Sequence, residues 1–267
     1  DSGGNIDISV NASPIQAAEL LRDVLWGSCY AAVVTSATLR ALGSFQTLQR
    51  ETGIPDFAHF MTVAGAFDYQ QAAVIRVPAD AVEGNQADAH SRYIIDHFAE
   101  YEVPHCGTLA LFSSRRQMEQ VYDELSKELQ KNILIQGKLS NREMVRLHKE
   151  RIDQGRTSVL MGLASFAEGV DLPGDYCRHV VIAKLPFAVP DDPLHEALSE
   201  WIEAKGGNSF FDISLPIASL RLVQACGRLL RTEKDTGTVT ILDKRLITKR
   251  YGTQLLNGLP PFRREIG

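Results

Sequence analysis

Short apolar runs alternate with longer segments of helical periodicity along most of this chain. Six of the runs are rich in β-branched or long aliphatic residues, and most are apolar at consecutive positions rather than at every second one. Strands have this pattern when helices cover both faces of their sheet, as they do in parallel sheets. The predicted strands are residues 31–36, 107–114, 132–137, 157–163, 178–185 and 237–243.

The segments between these runs repeat apolar residues at intervals of three and four, as an amphipathic helix does. Residues 115–130 carry Met118, Val121, Leu125 and Leu129 in this pattern. Strands that alternate with helices predict an α/β fold, with a doubly wound, mostly parallel sheet and helices on both faces. The other predicted helices are residues 141–155, which end in a glycine, and residues 192–205, 215–231 and about 248–256.

Two stretches lack either periodicity. Residues 52–91 are rich in Pro, Gly and Ala, with a predicted mobile loop at residues 83–90, and residues 186–197 are also irregular. We expect one domain over residues 29–267, preceded by an extension at residues 1–28. Because the sequence starts without Met, we also expect it to be a fragment of a longer chain.

Composition limits the function classes. With 267 residues, 44% hydrophobic and 23% charged, the chain has the composition of a globular domain. Its formal net charge of −5 means that any contact with nucleic acid must come from a local basic surface. No apolar run approaches the roughly 20 residues of a membrane span, so we expect a cytoplasmic protein without membrane contact. Four widely spaced cysteines predict reduced, mostly buried thiols and neither a disulfide nor a metal site: Cys29, Cys106, Cys177 and Cys226.

Segments that follow strands are the first places to look for chemistry, because ligands bind at the carboxyl edge of such sheets. After the first predicted strand, the hydroxyls of Ser36 and Thr38 can contact a polar partner or cap a helix. After the fourth, Glu168 and Asp171 flank Gly169 in a predicted turn. These carboxylates can accept hydrogen bonds from an arginine, a ribose or a loop backbone, and the glycine permits a positive φ or close approach of a ligand. The alternative is a structural turn with solvated acids.

The sequence QACGRLLR, residues 224–231, places two arginines three positions apart on a predicted helix. Arg228 and Arg231 would share a helical face with Gln224. Gly227 weakens a helix by up to about 1 kcal/mol relative to Ala, which points to close packing or ligand approach at this position. Guanidinium groups suit a phosphoryl group that gains negative charge in its transition state. The alternative is that both arginines form ion pairs with nearby acids.

Five motifs in a fixed order are more specific than any one of them. VTSATL, LALFSS, FAEGVDLPG, QACGRLLRTEKDTG and LDKRLITKRYG together resemble the second RecA-like motor domain of superfamily 2 helicases, specifically the DinG branch of the XPD-like DNA helicases. GAFDYQQ and KLPFAVPDDPLHEA fit the same family. The resemblance covers nearly the whole chain from about Val24 onward and implies a RecA-like fold.

The resemblance implies an ATP-dependent helicase that translocates 5′ to 3′ on single-stranded DNA and unwinds duplexes, forks, R-loops or D-loops in repair and replication. ATP and Mg²⁺ would be bound mainly by a first RecA-like domain outside this chain. Arg228 and Arg231 would act as arginine fingers, with Gln224 coupling the nucleotide to DNA. Nucleotide binding or coupling would involve Glu168, Gly169, Asp171 and Gly227. The implied contacts to single-stranded DNA are Thr35, Ser36, Thr38, Ser113, Ser114, Arg115 and Phe67.

Other parts of the helicase pattern are absent from the printed sequence. It has no G-x-x-x-x-G-K-[ST] phosphate loop, no D-E-A-H-like strand end for Mg²⁺ and no four-cysteine cluster. We therefore expect the chain alone to be monomeric, to hydrolyse ATP negligibly, and to hold no iron–sulfur cluster, which the family would carry in its first motor domain. Two alternatives stay open. One is a DNA- or protein-docking module that uses Lys244, Arg245 and residues 249–252, and the other is the helicase-like part of an exonuclease-linked relative.

Overall fold

The computed structural model describes residues 12, 14–100, 106–188 and 193–267, apart from the side chains of Ala167 and Glu168. Within these residues, seven strands form one sheet in the order β3-β4-β2-β5-β6-β1-β7, and every neighbouring pair is parallel. The predicted parallel sheet is confirmed. The strands are β1 (Ala73–Val77), β2 (Gly107–Phe112), β3 (Ile133–Ile135), β4 (Ser158–Leu163), β5 (His179–Ile182), β6 (Gly237–Ile241) and β7 (Arg263–Ile266).

Helices connect the strands. They are α1 (Ala18–Leu21), α2 (Gln46–Thr52), α3 (Tyr69–Ala72), α4 (Ala87–Glu100), α5 (Arg115–Glu124), α6 (Lys127–Asn132), α7 (Asn141–Asp153), α8 (Ala164–Glu168), α9 (Pro193–Ala204), α10 (Leu215–Cys226), α11 (Arg245–Thr248) and α12 (Arg250–Gly258). Three shorter helical turns are Arg22–Trp26, Gly174–Cys177 and Phe210–Ser214.

Side chains of each central strand alternate between two hydrophobic layers, one on each face of the sheet. In β2, Leu111 packs in the layer that contains Met144 of α7, whereas Phe112 packs in the layer that contains Met118 of α5. Helices therefore cover both faces, as the uninterrupted apolar runs predict. The chain moves from β1 across to β3 and then returns, and this reversal opens a crevice at the carboxyl ends of β2, β4 and β5.

The predicted strand at residues 31–36 is wrong. These residues adopt no strand in the structure, and Val33 is 93% exposed. The run has the β-branched composition of a strand, but a strand also needs a neighbouring strand to pair with. Among the described residues, neither edge of the sheet pairs with this segment. Two strands that do form lie outside the predictions. The first, β1, lies in the irregular Ala-rich region, and the second, β7, is an edge strand of mostly polar sequence.

Several predicted helix boundaries are also wrong. Residues 115–130 form two helices rather than one, because Leu125 is extended and the Ser126 hydroxyl caps a new helix by accepting from the Leu129 N–H. The predicted mobile loop at residues 83–90 overlaps α4, in which His90 is buried. Of the four cysteines, three are buried and Cys29 is exposed. No helix among the described residues is long and apolar enough to cross a membrane.

Candidate functional site

A pocket of about 250 Å³ opens at the carboxyl ends of β2, β4 and β5. Ser113 lines it from the loop that follows β2, and Ser165 lines it from α8. Gln224 lines it from α10, and Arg228 from the turn just after α10. These side chains meet because all strands of the sheet run in the same direction, so their carboxyl ends share one edge. Two cationic side chains, Arg221 and Arg228, and no acidic one, line this pocket, which therefore suits a negatively charged partner.

The arginines of the QACGRLLR motif lie just beyond a helix, not on it. The helix α10 ends at Cys226, and Gly227 closes it with a helical φ of −66°. Arg228 and Arg231 follow in a turn, so the predicted extension of the helix to residue 231 is wrong. The low helix propensity of Gly contributes to the difference, since Gly is costly inside a helix.

The turn brings the two guanidinium groups to one acceptor. Arg228 Nη1 and Arg231 Nη2 both donate to the carbonyl oxygen of Val170, at 3.4 and 3.3 Å. Arg231 Nε also lies 3.5 Å from Asp171 Oδ1, in a pair whose carboxylate is 78% exposed. An ion pair this exposed contributes little to the stability of the fold. Its effect is therefore confined to the orientation of the Arg231 side chain. Both arginines therefore lie against the segment that holds Val170 and Asp171, and the Arg231–Asp171 pair corresponds to the ion-pair alternative.

Asp235 connects the arginine turn to the same loop, and sequence reasoning missed it. The residue is 5% exposed, and its carboxylate accepts from the N–H groups of Arg231 at 2.7 Å, Thr232 at 2.8 Å and Gly174 at 3.1 Å. The Thr232 hydroxyl donates to it at 2.7 Å. Burial opposes ionisation of Asp235, but these hydrogen bonds outweigh burial and hold its pKa below the usual range. The signal in the sequence is an acid four residues after Arg231, which no periodicity distinguishes from a solvated one.

A second pocket, of about 430 Å³, lies on the other side of the arginine turn. Thr38 lines it together with Phe67, Gly227 and both arginines. The ring of Phe67 is half-buried and lies 5.6 Å from that of Tyr69, so it packs against the core while one part faces the pocket. The structure thus brings residues that are predicted to act on the nucleotide close to residues that are predicted to contact DNA. These residues are up to 193 positions apart in sequence, from Thr38 to Arg231.

Other predicted DNA contacts lie on neighbouring loops. Thr35 and Ser36 are exposed, and the Ser36 hydroxyl accepts from the Thr38 N–H in a local turn rather than at a helix start. Ser114 caps α5 by accepting from the Gln117 N–H. Arg115 lies in a separate pocket, 3.9 Å from Glu119, so the structure does not place it with the arginine turn.

Two predicted residues of the loop after β4 need separate comment. Glu168 ends α8, and its side chain lies outside the described part of the structure. Gly169 is exposed with open space where a Cβ would project, so close approach of a partner is sterically free there. Its φ is not positive, however, and the left-handed conformation occurs instead at Gly174, with φ of 63°. Of the two roles expected for Gly169, a positive φ is therefore absent, and the space for close approach of a ligand is present.

Buried polar contacts hold the far end of this loop. The ring of His148 lies between Ser158 Oγ at 2.9 Å and the Tyr176 carbonyl oxygen at 2.8 Å. Because a carbonyl only accepts, Nε2 carries the proton and donates to Tyr176, which leaves Nδ1 to accept from the serine hydroxyl. Burial lowers the pKa of His148 to about 4, so the ring is neutral at neutral pH. A neutral histidine thus pins the loop to α7 and β4.

The residues proposed for a basic docking patch are largely committed to ion pairs. Arg245 Nη2 lies 2.6 Å from the fully buried Asp243, and Lys249 Nζ lies 2.8 Å from Glu83. Asp243 also accepts from the Gly84 and Leu185 N–H groups. The Arg245–Asp243 pair therefore ties three segments at the carboxyl edge together. No group of three or more His, Cys, Asp or Glu side chains in the described ranges is arranged to hold a metal ion.

Comparison with known proteins identifies the family. The sequence of residues 100–262 matches the protein family described as helicase C-terminal domain. The chain belongs to this helicase C-terminal domain family. It is 43% identical over 265 residues to the ATP-dependent DNA helicase DinG of Photobacterium profundum and 36% identical over 266 residues to that of Escherichia coli K12. Both alignments cover 97% of this chain. Within the helicase C-terminal domain family, the chain is therefore of the DinG type.

Solved structures agree with the fold. A structure of the XPD helicase matches 73% of this chain with a TM-score of 0.52 at 18% identity, and an apo XPD structure matches 75% with a TM-score of 0.53 at 19% identity. The predicted RecA-like architecture is therefore confirmed for this helicase C-terminal domain. The chain spans only 38% and 37% of the two DinG relatives' own lengths.

Proposed function

We propose that this helicase C-terminal domain is the second motor domain of an ATP-dependent DNA helicase and supplies two arginine fingers, Arg228 and Arg231, to an ATP site shared with a first motor domain. The observation that carries the proposal is their convergence on the Val170 carbonyl oxygen beside Gln224. Two fixed cations held at one point form a preorganised site for phosphoryl oxygens.

The chemistry that these groups would assist is hydrolysis of the terminal phosphoanhydride. Water forms the new bond to the γ-phosphorus, the bond to the bridging oxygen breaks, and its electron pair leaves with ADP. The water gives up a proton to solvent as inorganic phosphate is released. Negative charge spreads over the transferring group, and guanidinium groups stabilise it without needing to change protonation state. The hydrogen bonds to Val170 are long and partly exposed, so a phosphate can replace them at little cost. Mg²⁺ would be held by the first motor domain.

An exposed apolar surface supports the proposed partner. Val33 is 93% exposed, and so to a similar extent are Phe57, Met61 and Val63, in the part of the chain that precedes β1. Exposed apolar side chains of this size are often contact points in soluble proteins. We assign these side chains to contact with the first motor domain of the same polypeptide, because Val33 lies four residues before Ala37, which lines the second pocket with both arginines.

Single-stranded DNA is the proposed track, followed 5′ to 3′, and forks, R-loops and D-loops are the proposed substrates. Ser113, Ser165 and the N-terminal end of α5 lie along the carboxyl edge, where hydroxyls and N–H groups can contact phosphates without reading bases. Gln224 and Arg228 line the same pocket as Ser113, which gives a direct route from the nucleotide to the strand. No observation on the described surface favours the docking-module or exonuclease-linked alternatives.

The test is DNA-stimulated ATP hydrolysis by a polypeptide that contains both motor domains. Arg228→Ala and Arg231→Ala should each lower kcat by about 10³-fold while KM for ATP changes little, because a finger acts on the transition state. Arg76→Ala is the matched control. Arg76 lies in β1, pairs with Glu265 of the edge strand β7, and lines neither pocket. Variants of both arginines with near-wild-type kcat would refute the proposal.

A further inference from the structure

Beyond the arginines themselves, one buried carboxylate determines where the second arginine lies. Asp235 follows Arg231 by four residues and precedes β6. Its Oδ2 accepts from the N–H groups of Arg231 and Thr232, and its Oδ1 accepts from the Gly174 N–H and the Thr232 hydroxyl. Both oxygens are therefore fully used, and each connects to a different part of the site.

The two sets of bonds join both sides of the arginine cluster. Oδ2 fixes the backbone from which the Arg231 side chain projects. Oδ1 fixes Gly174, at the end of the loop whose Val170 carbonyl and Asp171 carboxylate contact the guanidinium of Arg231. Asp235 is thus placed to hold the arginine turn and residues 170–174 in fixed positions relative to each other. A neutral side chain of the same shape could not do this, because an amide nitrogen would face N–H donors on one side.

The geometry points to Asp235 as a positioning residue for phosphoryl transfer, which acts through Arg231 by clamping the arginine turn to the loop after β4. It touches neither pocket, so it does not contact the nucleotide itself. The inference rests on the proposed function of Arg231. Misplacement of a catalytic group by about 1 Å can cost about 10²-fold in rate, and removal of the clamp permits a movement of that size.

A double-mutant cycle in the two-domain polypeptide tests this. Asp235→Asn should lower kcat for DNA-stimulated ATP hydrolysis by about 10- to 100-fold in the wild-type background, with KM for ATP within about twofold. In the Arg231→Ala background the same substitution should change kcat by less than about twofold, because the group on which Asp235 acts is already gone. Asp175→Asn is the matched control. Asp175 is adjacent to Gly174, but its carboxylate pairs with Arg178, so kcat should be unchanged.

The outcomes separate the two proposals. If Arg231→Ala leaves kcat unchanged, the proposed function fails irrespective of Asp235. If Arg231→Ala lowers kcat but Asp235→Asn lowers it by the same factor in both backgrounds, or leaves it unchanged in both, the positioning role is refuted. A purely structural role would lower the unfolding midpoint and give this multiplicative pattern. Should Asp235→Asn fail to fold, Thr232→Val removes one bond to Oδ1 and keeps the charge, and should lower kcat several-fold only when Arg231 is present.

Discussion

Replacement of Asp243 by Asn should destabilise this domain far more than loss of an exposed ion pair of the same length. Asp243 is completely buried, and its partner Arg245 has a side chain that is 12% exposed, with 2.6 Å between Oδ2 and Nη2. Desolvation opposes ionisation of Asp243, but the hydrogen bonds and charge of Arg245 and the N–H groups of Gly84 and Leu185 outweigh it and hold its pKa below the usual range. The folded state is therefore built around the charged form.

The magnitude follows from what the substitution leaves behind. Asn keeps the shape but leaves the buried guanidinium of Arg245 without its counter-charge, which typically costs about 3–5 kcal/mol. At about 2–4 °C per kcal/mol for a chain of this size, the unfolding midpoint should fall by about 6–20 °C. Circular dichroism during thermal unfolding and urea titration measure this directly.

Glu265→Gln is the control for this experiment. Glu265 pairs with Arg76 at 2.7 Å, but both side chains are more than 40% exposed, so water replaces the lost partner. The midpoint of this variant should equal that of the wild type within error. A loss below about 1 kcal/mol for Asp243→Asn, or equal losses for the two variants, would contradict the reasoning from burial.

Three further predictions concern packing, pH and accessibility. Gly107→Ala should cost about 1–3 kcal/mol, because a Cβ there collides with the backbone carbonyl of Tyr176, whereas Gly169→Ala has open space and should leave the unfolding midpoint unchanged; equal midpoints would exclude this packing argument. Since the pKa of His148 is about 4 when folded and about 6.5 when unfolded, the unfolded state takes up the proton first, so stability should fall as pH drops from about 6.5 towards 4. A urea midpoint equal at pH 7 and about pH 5 would argue against that. A thiol reagent should modify Cys29 rapidly and the three buried thiols only after unfolding; equal labelling rates for all four thiols in the folded protein would count against this assignment of burial.

The parts of the fold that the sequence predicts are those in which local pattern and tertiary context agree. β2, β4 and β5 are mostly apolar on both faces, β6 is apolar on one, and all four lie inside the sheet, so each run predicts its strand. Residues 31–36 have the same pattern but no partner strand among the described residues, and pattern alone cannot supply one. The edge strand β7 shows the reverse case, since pairing with β1 makes a strand from a sequence that is mostly polar.

The candidate site shows the same division. The grouping of Gln224, Arg228 and Arg231 near the loop after β4 could be predicted, because motif order and the shared carboxyl edge both require it. The contacts that hold these side chains in place could not be predicted. The end of α10 at Cys226 depends on where Gly227 stops the helix, and the role of Asp235 depends on backbone N–H groups that residue types do not encode.

The central claim is that Arg228 and Arg231 stabilise the transferring phosphoryl group rather than the bound ATP. The most direct measurement compares, in the two-domain polypeptide bound to single-stranded DNA, the affinity for a non-hydrolysable ATP analogue with that for ADP plus aluminium fluoride, which mimics the transferring group. For Arg231→Ala the account predicts an analogue Kd within a few-fold of the wild-type value and a loss of about 10³-fold for the mimic, parallel to the loss in kcat. Equal losses for both ligands, or none for either, would contradict it.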